Sequence, residues 1–337
     1  MNAPRTVLIT GGAGYIGSHT AKVLRRAGYR TVIFDNLSAG HREACLGAPL
    51  IEGDVGDTEA VRRALRESGA KAVVHFAAWL VVPDSMKDPA GYYRNNVVGT
   101  LSTLEAMAAE GCTRFVFSSS CAVYGEPVRV PLTEDQPTAP ISPYGQTKLT
   151  VEQSLPHYER AYGLRSVCLR YFNAAGADPD GELGEDHHPE IHAIPRAFDA
   201  TLGGPPFDVF GEDYPTPDGT CLRDYIHVMD LADAHLRALQ RLEEGSASAT
   251  YNVGTEQPSS VRQVLAAVEQ VTGRAVPCRS APRRPGDPAS LYASASRIRT
   301  DLGWTPSRPA LETIVADAWR WHAAHPHGFA AGRTRRA

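Results

Sequence analysis

The segment "TVLITGGAGYIG" at residues 6–17 places a short apolar strand, a glycine-rich turn and the start of a helix in direct succession. Gly12, Gly14 and Gly17 fit the pattern G-x-G-x-x-G, and Gly11, Gly14 and Gly17 fit the tighter G-x-x-G-x-x-G. Glycine is needed because the chain turns sharply and its backbone N–H groups must approach a pyrophosphate, which the helix N-terminus also attracts. The segment therefore predicts a dinucleotide site at the first turn of an α/β fold.

Strand-like and helix-like stretches alternate through the first half of the chain. The apolar runs predicted to be buried strands are 6–10, 31–35, 48–54, 72–78, 114–120 and 166–172. Such alternation is typical of a parallel sheet with helices on both faces and ligands at the carboxyl ends of the strands. We expect a Rossmann-type doubly wound parallel sheet in residues 1–175, with some later segments returning to it. A smaller substrate-binding α/β domain is expected mainly in residues 176–330, followed by a flexible tail at 331–337.

Acidic residues end the second and third predicted strands. Asp35 lies 18 residues after Gly17, and an acid in that place can accept hydrogen bonds from the hydroxyls of an adenosine ribose. Its charge would repel a 2′-phosphate, so the sequence favours NAD over NADP. Asp54 is placed to hydrogen-bond the adenine, with a solvated loop acid as the alternative.

The segment "SPYGQTK" at residues 142–148 opens a predicted helix, and Pro143 suits its first turn. The i to i+4 spacing puts Tyr144 and Lys148 on one helix face. A free phenol has a pKa of about 10, but a nearby ammonium and the positive ring of NAD⁺ would both favour the phenolate. Tyr144 could then accept a hydroxyl proton, and Ser120, at the end of the fifth strand, faces the same reacting centre. An ordinary surface pair is the alternative.

The bulk properties of the 337-residue chain exclude several other classes of protein. A formal net charge of −4 and a pI near 6.3 argue against a general role in binding nucleic acid or membrane surfaces. No apolar run is long enough to cross a bilayer, and we expect no signal peptide. The six cysteines show no CxxC or metal-ligand spacing, so we expect reduced thiols in a cytoplasmic protein.

The glycine turn, Ser120 and Tyr144-x-x-x-Lys148 resemble the extended short-chain dehydrogenase/reductase family. Within it, the chain is similar to the enzymes that epimerise C4 of UDP-glucose. That likeness continues through "LRYFNAAGADPDG", the block at 211–235, "YNVG", "RRPGD" and "DLGW". The resemblance implies tightly bound NAD⁺ and interconversion of UDP-glucose and UDP-galactose through a 4-keto sugar that turns over in the site. It implies that Tyr144 is the base and that Ser120 hydrogen-bonds to the C4 hydroxyl. It also implies that Lys148 sets the pKa of the phenol and binds the ribose.

A UDP-sugar also needs donors for two phosphates, and the arginine fork matches phosphate oxygens. Arg223 and Arg284 are the candidates, whereas Arg283 could equally be a solvated charge. The resemblance adds Asn173 at the phosphate or sugar, Phe210 near uracil and Asp287 at the uridine ribose. It also places the following residues against the cofactor: Gly11, Gly14, Tyr15, Ile16, Gly17, Asn36, Val55, Phe76, Ala77, Ala78, Lys87, Asn96 and Phe172, with Lys87 also near the sugar.

The residue four places after the aspartate of "RRPGD" borders the C2 substituent of the sugar in the enzymes that this chain resembles. Here that residue is Leu291. It is branched and apolar, so it offers an acetamido group neither a hydrogen bond nor much space. The sequence therefore predicts UDP-glucose and UDP-galactose as the main pair, with weak activity on N-acetylated sugars.

The sequence also bears on three other functions. Another NAD-dependent epimerase, acting on UDP-N-acetylglucosamine or on a UDP-pentose or uronate, remains an alternative. A 4,6-dehydratase would need an acid/base pair directly after the serine of the fifth strand, where this chain has Cys121-Ala122. A non-catalytic NAD-sensing protein would have no reason to keep Ser120, Tyr144 and Lys148 together.

Two further expectations concern metals and assembly. The loop "GEDHHPEIH" at 184–192 contains metal-ligand types in His187, His188, Glu190 and His192. Hydride transfer needs no Lewis acid and a proline-broken loop rarely fixes ligands, so we expect no metal. The resemblance also implies a homodimer through the predicted helices at 88–109 and 144–163.

Overall fold

The structure, a computed structural model, describes residues 5–284 and 287–329, so the predicted tail at 331–337 lies outside the described residues. The strands are β1 (Thr6–Thr10), β2 (Arg30–Asp35), β3 (Leu50–Glu52), β4 (Ala72–His75), β5 (Arg114–Ser118), β6 (Arg165–Tyr171), β7 (Asn173–Ala175), β8 (Phe207–Phe210), β9 (Leu222–Arg223), β10 (Tyr225–His227), β11 (Ala249–Val253), β12 (Ser259–Ser260), β13 (Cys278–Ala281) and β14 (Ser290–Leu291).

The helices are α1 (Tyr15–Arg26), α2 (Thr58–Ser68), α3 (Val82–Lys87), α4 (Pro89–Tyr92), α5 (Gly99–Ala109), α6 (Pro143–Tyr162), α7 (Ala193–Thr201), α8 (Val228–Glu243), α9 (Val261–Thr272), α10 (Ser296–Leu302) and α11 (Leu311–Ala324). A π-helical turn, Tyr93–Val98, joins α4 to α5, so the helix expected at 88–109 is one continuous helical run with a widened middle turn. Across the two described stretches, no helix combines the length and apolarity needed to cross a membrane.

Seven parallel strands form the central sheet, in the order β11-β6-β5-β4-β1-β2-β3. The chain moves outward from β1 through β2 to β3 and then returns to the other side of β1 as β4. In sheets of this kind a ligand binds where the strand order reverses, outside the carboxyl ends of the strands. The predicted doubly wound parallel sheet is confirmed, and its switch point lies between β1 and β4.

All six predicted strands are present, but three end two or three residues earlier than the sequence indicated. β3 ends at Glu52, β4 at His75 and β5 at Ser118. The residues that follow are loops because the chain there bends away from the sheet toward the next helix. Their side chains therefore lie at the carboxyl edge of the sheet, where they can face a ligand.

Both faces of the central sheet are buried, as a parallel sheet covered by helices requires. Val7 and Ile9 of β1 point into one core cluster, which α1 and α8 complete, whereas Leu8 points into a second, which α2 and α5 complete. Burial of one such side chain contributes about 1.5–3 kcal/mol. This double burial fixes the sheet that carries the glycine turn.

The second half of the chain both returns to the sheet and forms a smaller core. β11 pairs with β6, and α8 packs on α1. α7, α9 and α11 surround the parallel pair of β8 and β13 in a separate apolar cluster. Between these parts, β7 follows directly on the carboxyl end of β6 and pairs with β10, while β9 lies between β12 and β14. This arrangement brings segments of the second half to the edge where a ligand would bind.

Candidate active site

The glycine turn after β1 has a backbone path that side chains would block. Gly11 has a φ of +70°, and a Cβ there would lie 2.5 Å from the backbone nitrogen of Ala77. A Cβ on Gly17 would lie 2.3 Å from the carbonyl oxygen of Gly11. Both glycines are thus required by the fold itself, and they let α1 begin close to the carboxyl end of β1.

Gly14 has a different reason to be glycine. A Cβ on Gly14 would meet only the carbonyl oxygen of Gly11, at 3.4 Å, so the missing side chain leaves room for a ligand. α1 then begins without a capping side chain and without an acid in its first turn. Its first N–H groups, at Tyr15, Ile16 and Gly17, have no intrahelical acceptor and carry the positive end of the helix dipole. This cradle fits the pyrophosphate of a dinucleotide.

The carboxylate of Asp35 lies at the end of β2, directly beside this turn. It accepts the backbone N–H groups of Ala13 and Leu37, each at 2.9 Å. Burial raises the pKa of Asp35, and these two N–H groups lower it. Because each carboxylate oxygen keeps a second lone pair, Asp35 can still accept the hydroxyls of a ribose.

Asn36 and Asp54 meet across the ends of β2 and β3. Nδ2 of Asn36 donates to Oδ2 of Asp54 at 2.9 Å, and the N–H of Gly56 donates to the other oxygen at 2.7 Å. Val55, which lies between Asp54 and Gly56 in the chain, is buried. The structure thus brings the candidates for the adenine side together beside Asp35.

The loop after β4 runs along the other side of the glycine turn. The N–H groups of Phe76 and Ala77 both donate to the carbonyl oxygen of Thr10, at 2.8 and 3.2 Å. These bonds hold Phe76, Ala77 and the partly exposed Ala78 at the switch point of the sheet.

Asn96 and Lys87, both predicted to touch the cofactor or the sugar, lie in contrasting environments. Nδ2 of Asn96 donates to the carbonyl oxygen of Trp79 at 3.0 Å and to Oγ1 of Thr147 at 3.1 Å, which uses both amide hydrogens. Its Oδ1 accepts the N–H of Trp79 at 2.8 Å. Lys87 lies on α3 with 77% of its side chain exposed, paired with Asp84 at 3.0 Å. Asn96 therefore anchors the loop after β4 to α6, whereas Lys87 stays at the surface.

Ser120, Tyr144 and Lys148 converge where β5 ends. The Ser120 hydroxyl lies near the phenol of Tyr144 and lowers its pKa, and the Ser120 oxygen accepts the N–H of Ala122 at 3.2 Å. Nζ of Lys148 donates to the carbonyl oxygen of Ser118 at 2.8 Å and lies 5.9 Å from the centre of the Tyr144 ring. Packing of α6 against the end of β5 thus brings together the trio that the sequence predicted.

The protein environment shifts both titrating groups of this trio. Burial raises the pKa of Tyr144 and nearby Tyr171 raises it further, while the hydrogen bond from Ser120 lowers it. Burial lowers the pKa of Lys148 to about 7, and Glu152 opposes that shift. At neutral pH the protein's own groups thus hold Tyr144 as a neutral phenol. The phenolate expected from the sequence therefore needs added positive charge, which a bound cationic ring can supply.

Glu152, one helical turn after Lys148 on α6, was not identified from the sequence. Its side chain is 7% exposed and forms an ion pair with the guanidinium of Arg170 on β6. Nε of Arg170 donates to Oε1 of Glu152 at 3.0 Å. Arg170 also donates to the hydroxyl of Tyr124 at 2.9 Å, and Tyr124 donates to Asn252 at 2.7 Å. The i to i+4 spacing from Lys148 was the available signal. This polar network fixes α6 behind the reactive trio.

The substrate-binding candidates of the second half gather around β9. Nη2 of Arg223 lies 3.1 Å from Oδ1 of Asp287, and Leu291 is the direct neighbour of Arg223 in the parallel pair of β9 and β14. Nδ2 of Asn173 donates to the carbonyl oxygen of Asp224 at 3.1 Å. The structure thus brings four predicted residues together and shows that buried Asp224, which the sequence analysis missed, connects them.

Leu291 also packs close to the reactive trio. It lies with Phe172, Tyr124 and Leu149 in one apolar cluster, and Leu149 directly follows Lys148 on α6. The end of β14 therefore borders both the helix that carries the trio and the loop after β6.

Arg284 and Phe210 form the far end of the candidate site. The guanidinium carbon of Arg284 lies 3.8 Å from the centre of the Phe210 ring. The neighbouring Arg283 lies over the Tyr214 ring at 4.2 Å and is paired with Asp213 at 2.7 Å. Since Arg283 already has an anionic partner, Arg284 is the better candidate for a phosphate.

The sequence and the fold both match known proteins over nearly their whole length. The NAD dependent epimerase/dehydratase family matches residues 7–254. The UDP-glucose 4-epimerase of Halalkalibacterium halodurans is 48% identical over 96% of this chain and 97% of its own.

Two solved structures share the same architecture. The UDP-glucose 4-epimerase of Brucella ovis in complex with NAD is 48% identical, with a TM-score of 0.92 over 94% of this chain and 98% of the other. The enzyme of Bifidobacterium longum in complex with NAD⁺ and UDP is 36% identical, with a TM-score of 0.90 over 96% of this chain and 99% of the other. This chain therefore belongs to the NAD dependent epimerase/dehydratase family.

Proposed function

We propose that this chain interconverts UDP-glucose and UDP-galactose by NAD-dependent inversion at C4 of the sugar. The observation that carries the proposal is the convergence of Ser120, Tyr144 and Lys148 at the carboxyl edge that also holds the glycine turn. Relatives named UDP-glucose 4-epimerase along nearly the whole chain support the same reaction.

The residues of this chain handle the proton of the reaction. NAD, when bound, supplies reversible hydride acceptance. Tyr144 takes the proton of the C4 hydroxyl as the 4-keto sugar forms, and it returns the proton when the opposite face is reduced. Ser120 holds the C4 oxygen toward Tyr144. The charge of Lys148 favours the phenolate, because an opposite charge nearby stabilises the ionised form.

The cofactor and the nucleotide-sugar are held from the two halves of the chain. Gly14 and the start of α1 receive the pyrophosphate of NAD, and Asp35 receives its adenosine ribose. Arg223 and Arg284 neutralise the UDP phosphates, and Asp287 lies close enough to Arg223 to accept a uridine hydroxyl beside it. Phe210 offers an aromatic face for uracil, and Asn173 lies toward the sugar.

Incubation with UDP-galactose tests this function directly. The expected product is UDP-glucose, with no net change in the redox state of NAD and no external cofactor required. A dehydrated keto sugar, or no conversion by protein that contains its cofactor, would contradict the proposal.

The identity of the bound nucleotide tests the role of Asp35. Its carboxylate is fixed by two backbone N–H groups beside the ribose position, so a 2′-phosphate there would meet a negative charge. We expect denatured protein to release NAD, measured by chromatography of the released nucleotide. Recovery of mainly NADP would overturn this assignment.

Lys148→Met is expected to slow turnover and to move the acidic limb of the pH profile upward by about 1–3 pH units. The sign follows from the environment: burial raises the pKa of Tyr144, so without the ammonium the phenol holds its proton to higher pH. The measurement is kcat against pH, with Lys71→Met as the control because Lys71 is exposed and outside the site. An unchanged profile in Lys148→Met would rule out the electrostatic role.

Leu291 is expected to set the selectivity for the C2 substituent. Burying an acetamido group without a partner costs about 1–3 kcal/mol, or about 5- to 150-fold in specificity. Leu291→Tyr should abolish weak activity on UDP-N-acetylglucosamine and spare UDP-glucose, whereas Leu291→Ser should raise the weak activity. The measurement is kcat/KM for both sugars in all three proteins. Equal values of kcat/KM for the two sugars in the wild type would show that Leu291 does not determine this selectivity.

The environment of Cys121 argues against a dehydratase. Expulsion of the C6 hydroxyl would need an acid/base pair where this chain has Cys121 and Ala122. Burial raises the pKa of the Cys121 thiol to about 12, so the thiol stays neutral at physiological pH.

Three further features belong to the same proposal. Residues 1–175, with later segments that return to the sheet, hold NAD, and residues 176–330 mainly hold the UDP-sugar. Two copies of the chain associate through the helical run 89–109 and α6, which sedimentation would reveal as twice the chain mass. The six unpaired cysteines support a cytoplasmic location.

A further inference from the structure

Four side chains of metal-ligand type converge in the loop between β7 and α7. These are Glu185, His187, Glu190 and His192, and one ligand atom from each lies within 4.8 Å of the others. Nδ1 of His187 is 3.3 Å from Oε1 of Glu185 and 3.9 Å from Oε2 of Glu190. Nδ1 of His192 is 2.8 Å from Oε1 of Glu185 and 3.1 Å from Oε1 of Glu190. The sequence predicted no metal at this loop, whereas the structure brings these four side chains together.

These separations are close to the edge length of a tetrahedral coordination shell. With Zn–N and Zn–O bonds of about 2.0–2.2 Å, the ligand atoms of a tetrahedral site lie about 3.3–3.6 Å apart. The four imidazole–carboxylate distances run from 2.8 to 3.9 Å, on both sides of that range, and the two distances to Glu190 involve its two different oxygens. Two imidazoles and two carboxylates form a donor set that Zn²⁺ accepts.

Two of the converging atoms have no hydrogen-bond partner within the described residues. They are Oε1 of Glu185 and Nδ1 of His187, although only 7% of the Glu185 side chain is exposed. The ring of His192 comes within 2.8 Å of Oε1, but not in a direction that makes a hydrogen bond. A buried polar atom without a partner is costly, and such atoms point to something that binds between them.

In a second cluster in the same region, a lysine of the protein provides the partner for converging carboxylates. Asp178, Asp180 and Glu182 also converge, and the ammonium of Lys22 bonds to all three. For Glu185 and its neighbours, the ion pairs within residues 5–284 and 287–329 involve only histidines. This cluster therefore has no lysine or arginine in the place that Lys22 takes in the other.

The loop is held firmly despite the proline at its centre. A Cβ on Gly184 would lie 2.0 Å from the Trp321 ring, so the loop packs directly on α11. The Asp186 carboxylate accepts the N–H of Phe329 at 2.9 Å, and the Asp186 carbonyl lies 3.1 Å from Nε2 of His41. Residues that anchor the loop thus alternate with residues that carry ligand atoms. A proline-broken loop rarely fixes ligands, but these contacts hold this loop in place.

We propose that Glu185, His187, Glu190 and His192 bind one divalent transition-metal ion, with Zn²⁺ as the ion that fits the donor set. Four protein ligands leave no open position, which is typical of a structural site and not of a catalytic one. The ion fixes this loop beside α1, where the ring of Tyr15 lies edge-on to His187 at 6.2 Å. The competing occupant is a proton on His192, whose Nδ1 lies close to both Glu185 and Glu190.

Zinc content distinguishes the two occupants. Untagged protein is stripped with a chelator, exchanged into dilute Zn²⁺, freed of excess ion and measured by elemental analysis. We expect one ion per chain in the wild type and in His188→Ala, and loss of the ion in His187→Ala. His188 is the matched control, because it is the exposed neighbour and does not belong to the cluster. Equal zinc content in the wild type and His187→Ala, whether full or absent, overturns the proposal.

A spectroscopic measurement on the wild type covers the case in which His187→Ala does not fold. Co²⁺ in a four-coordinate site of nitrogen and oxygen ligands absorbs in the visible without a thiolate charge-transfer band. We expect that spectrum together with a Tm that rises as Zn²⁺ is added, because an ion that binds only the folded state stabilises it. A thiolate band would show that the ion binds to cysteines. An unchanged Tm would show that the cluster binds protons and no metal ion. Either result overturns the proposal, and neither depends on epimerase activity.

Discussion

Tyr144→Phe is expected to lower kcat by about 10²–10⁴-fold with UDP-galactose while NAD stays bound, because positioned acid–base catalysis is worth that much. The variant removes only the phenolic oxygen, which lies near Ser120. The glycine turn and Asp35 are left intact, so cofactor content should not change. The measurement is steady-state turnover alongside the NAD released on denaturation.

A matched variant separates this loss from a general effect of removing a phenol. Tyr162 lies on the same helix and is 58% exposed, so Tyr162→Phe should retain wild-type turnover. The pH dependence adds a second check, because the step assigned to the phenol should disappear from the residual activity of Tyr144→Phe. Near-normal turnover in Tyr144→Phe would remove Tyr144 from the mechanism and move the search for a base to Tyr171.

The features that the sequence predicted well are local ones. Strand, glycine turn and helix follow one another at 6–17, so their chemistry can be read from residue spacing, and Tyr144 and Lys148 lie one helical turn apart. The doubly wound parallel sheet could be predicted because alternating strands and helices leave few topologies. Strand ends were less accurate, since "FAA" after β4 reads as apolar but belongs to the loop.

The features that were missed depend on contacts between distant segments. Arg170 and Glu152 meet because β6 packs against α6, and neither position is unusual in the sequence alone. The hydrogen bonds between the Asn96 side chain and the backbone of Trp79 likewise join separate segments, while contact of Asn96 with a ligand stays a prediction. The position of the loop at 184–192 could not be predicted for the same reason. It depends on the packing of Gly184 against Trp321, which lies more than a hundred residues later in the chain.

Arg170→Met is expected to cost about 3–5 kcal/mol of unfolding free energy, because it leaves the buried carboxylate of Glu152 without its cation. Both side chains of the pair are at most 8% exposed. The double variant Arg170→Met/Glu152→Leu should recover most of the loss, since removing both charges removes the desolvation penalty.

The exposed pair of Arg262 and Glu212 provides the comparison, because Arg262→Met should cost at most about 1 kcal/mol. Urea unfolding of all four proteins with NAD in excess measures these differences. A loss in Arg170→Met no larger than that in Arg262→Met would show that Glu152 finds another partner, with Ser119, whose hydroxyl already bonds to it, as the nearest candidate. A large loss that the double variant does not recover would instead place the stabilisation in the Tyr124 hydrogen bond, because that bond is broken in both variants.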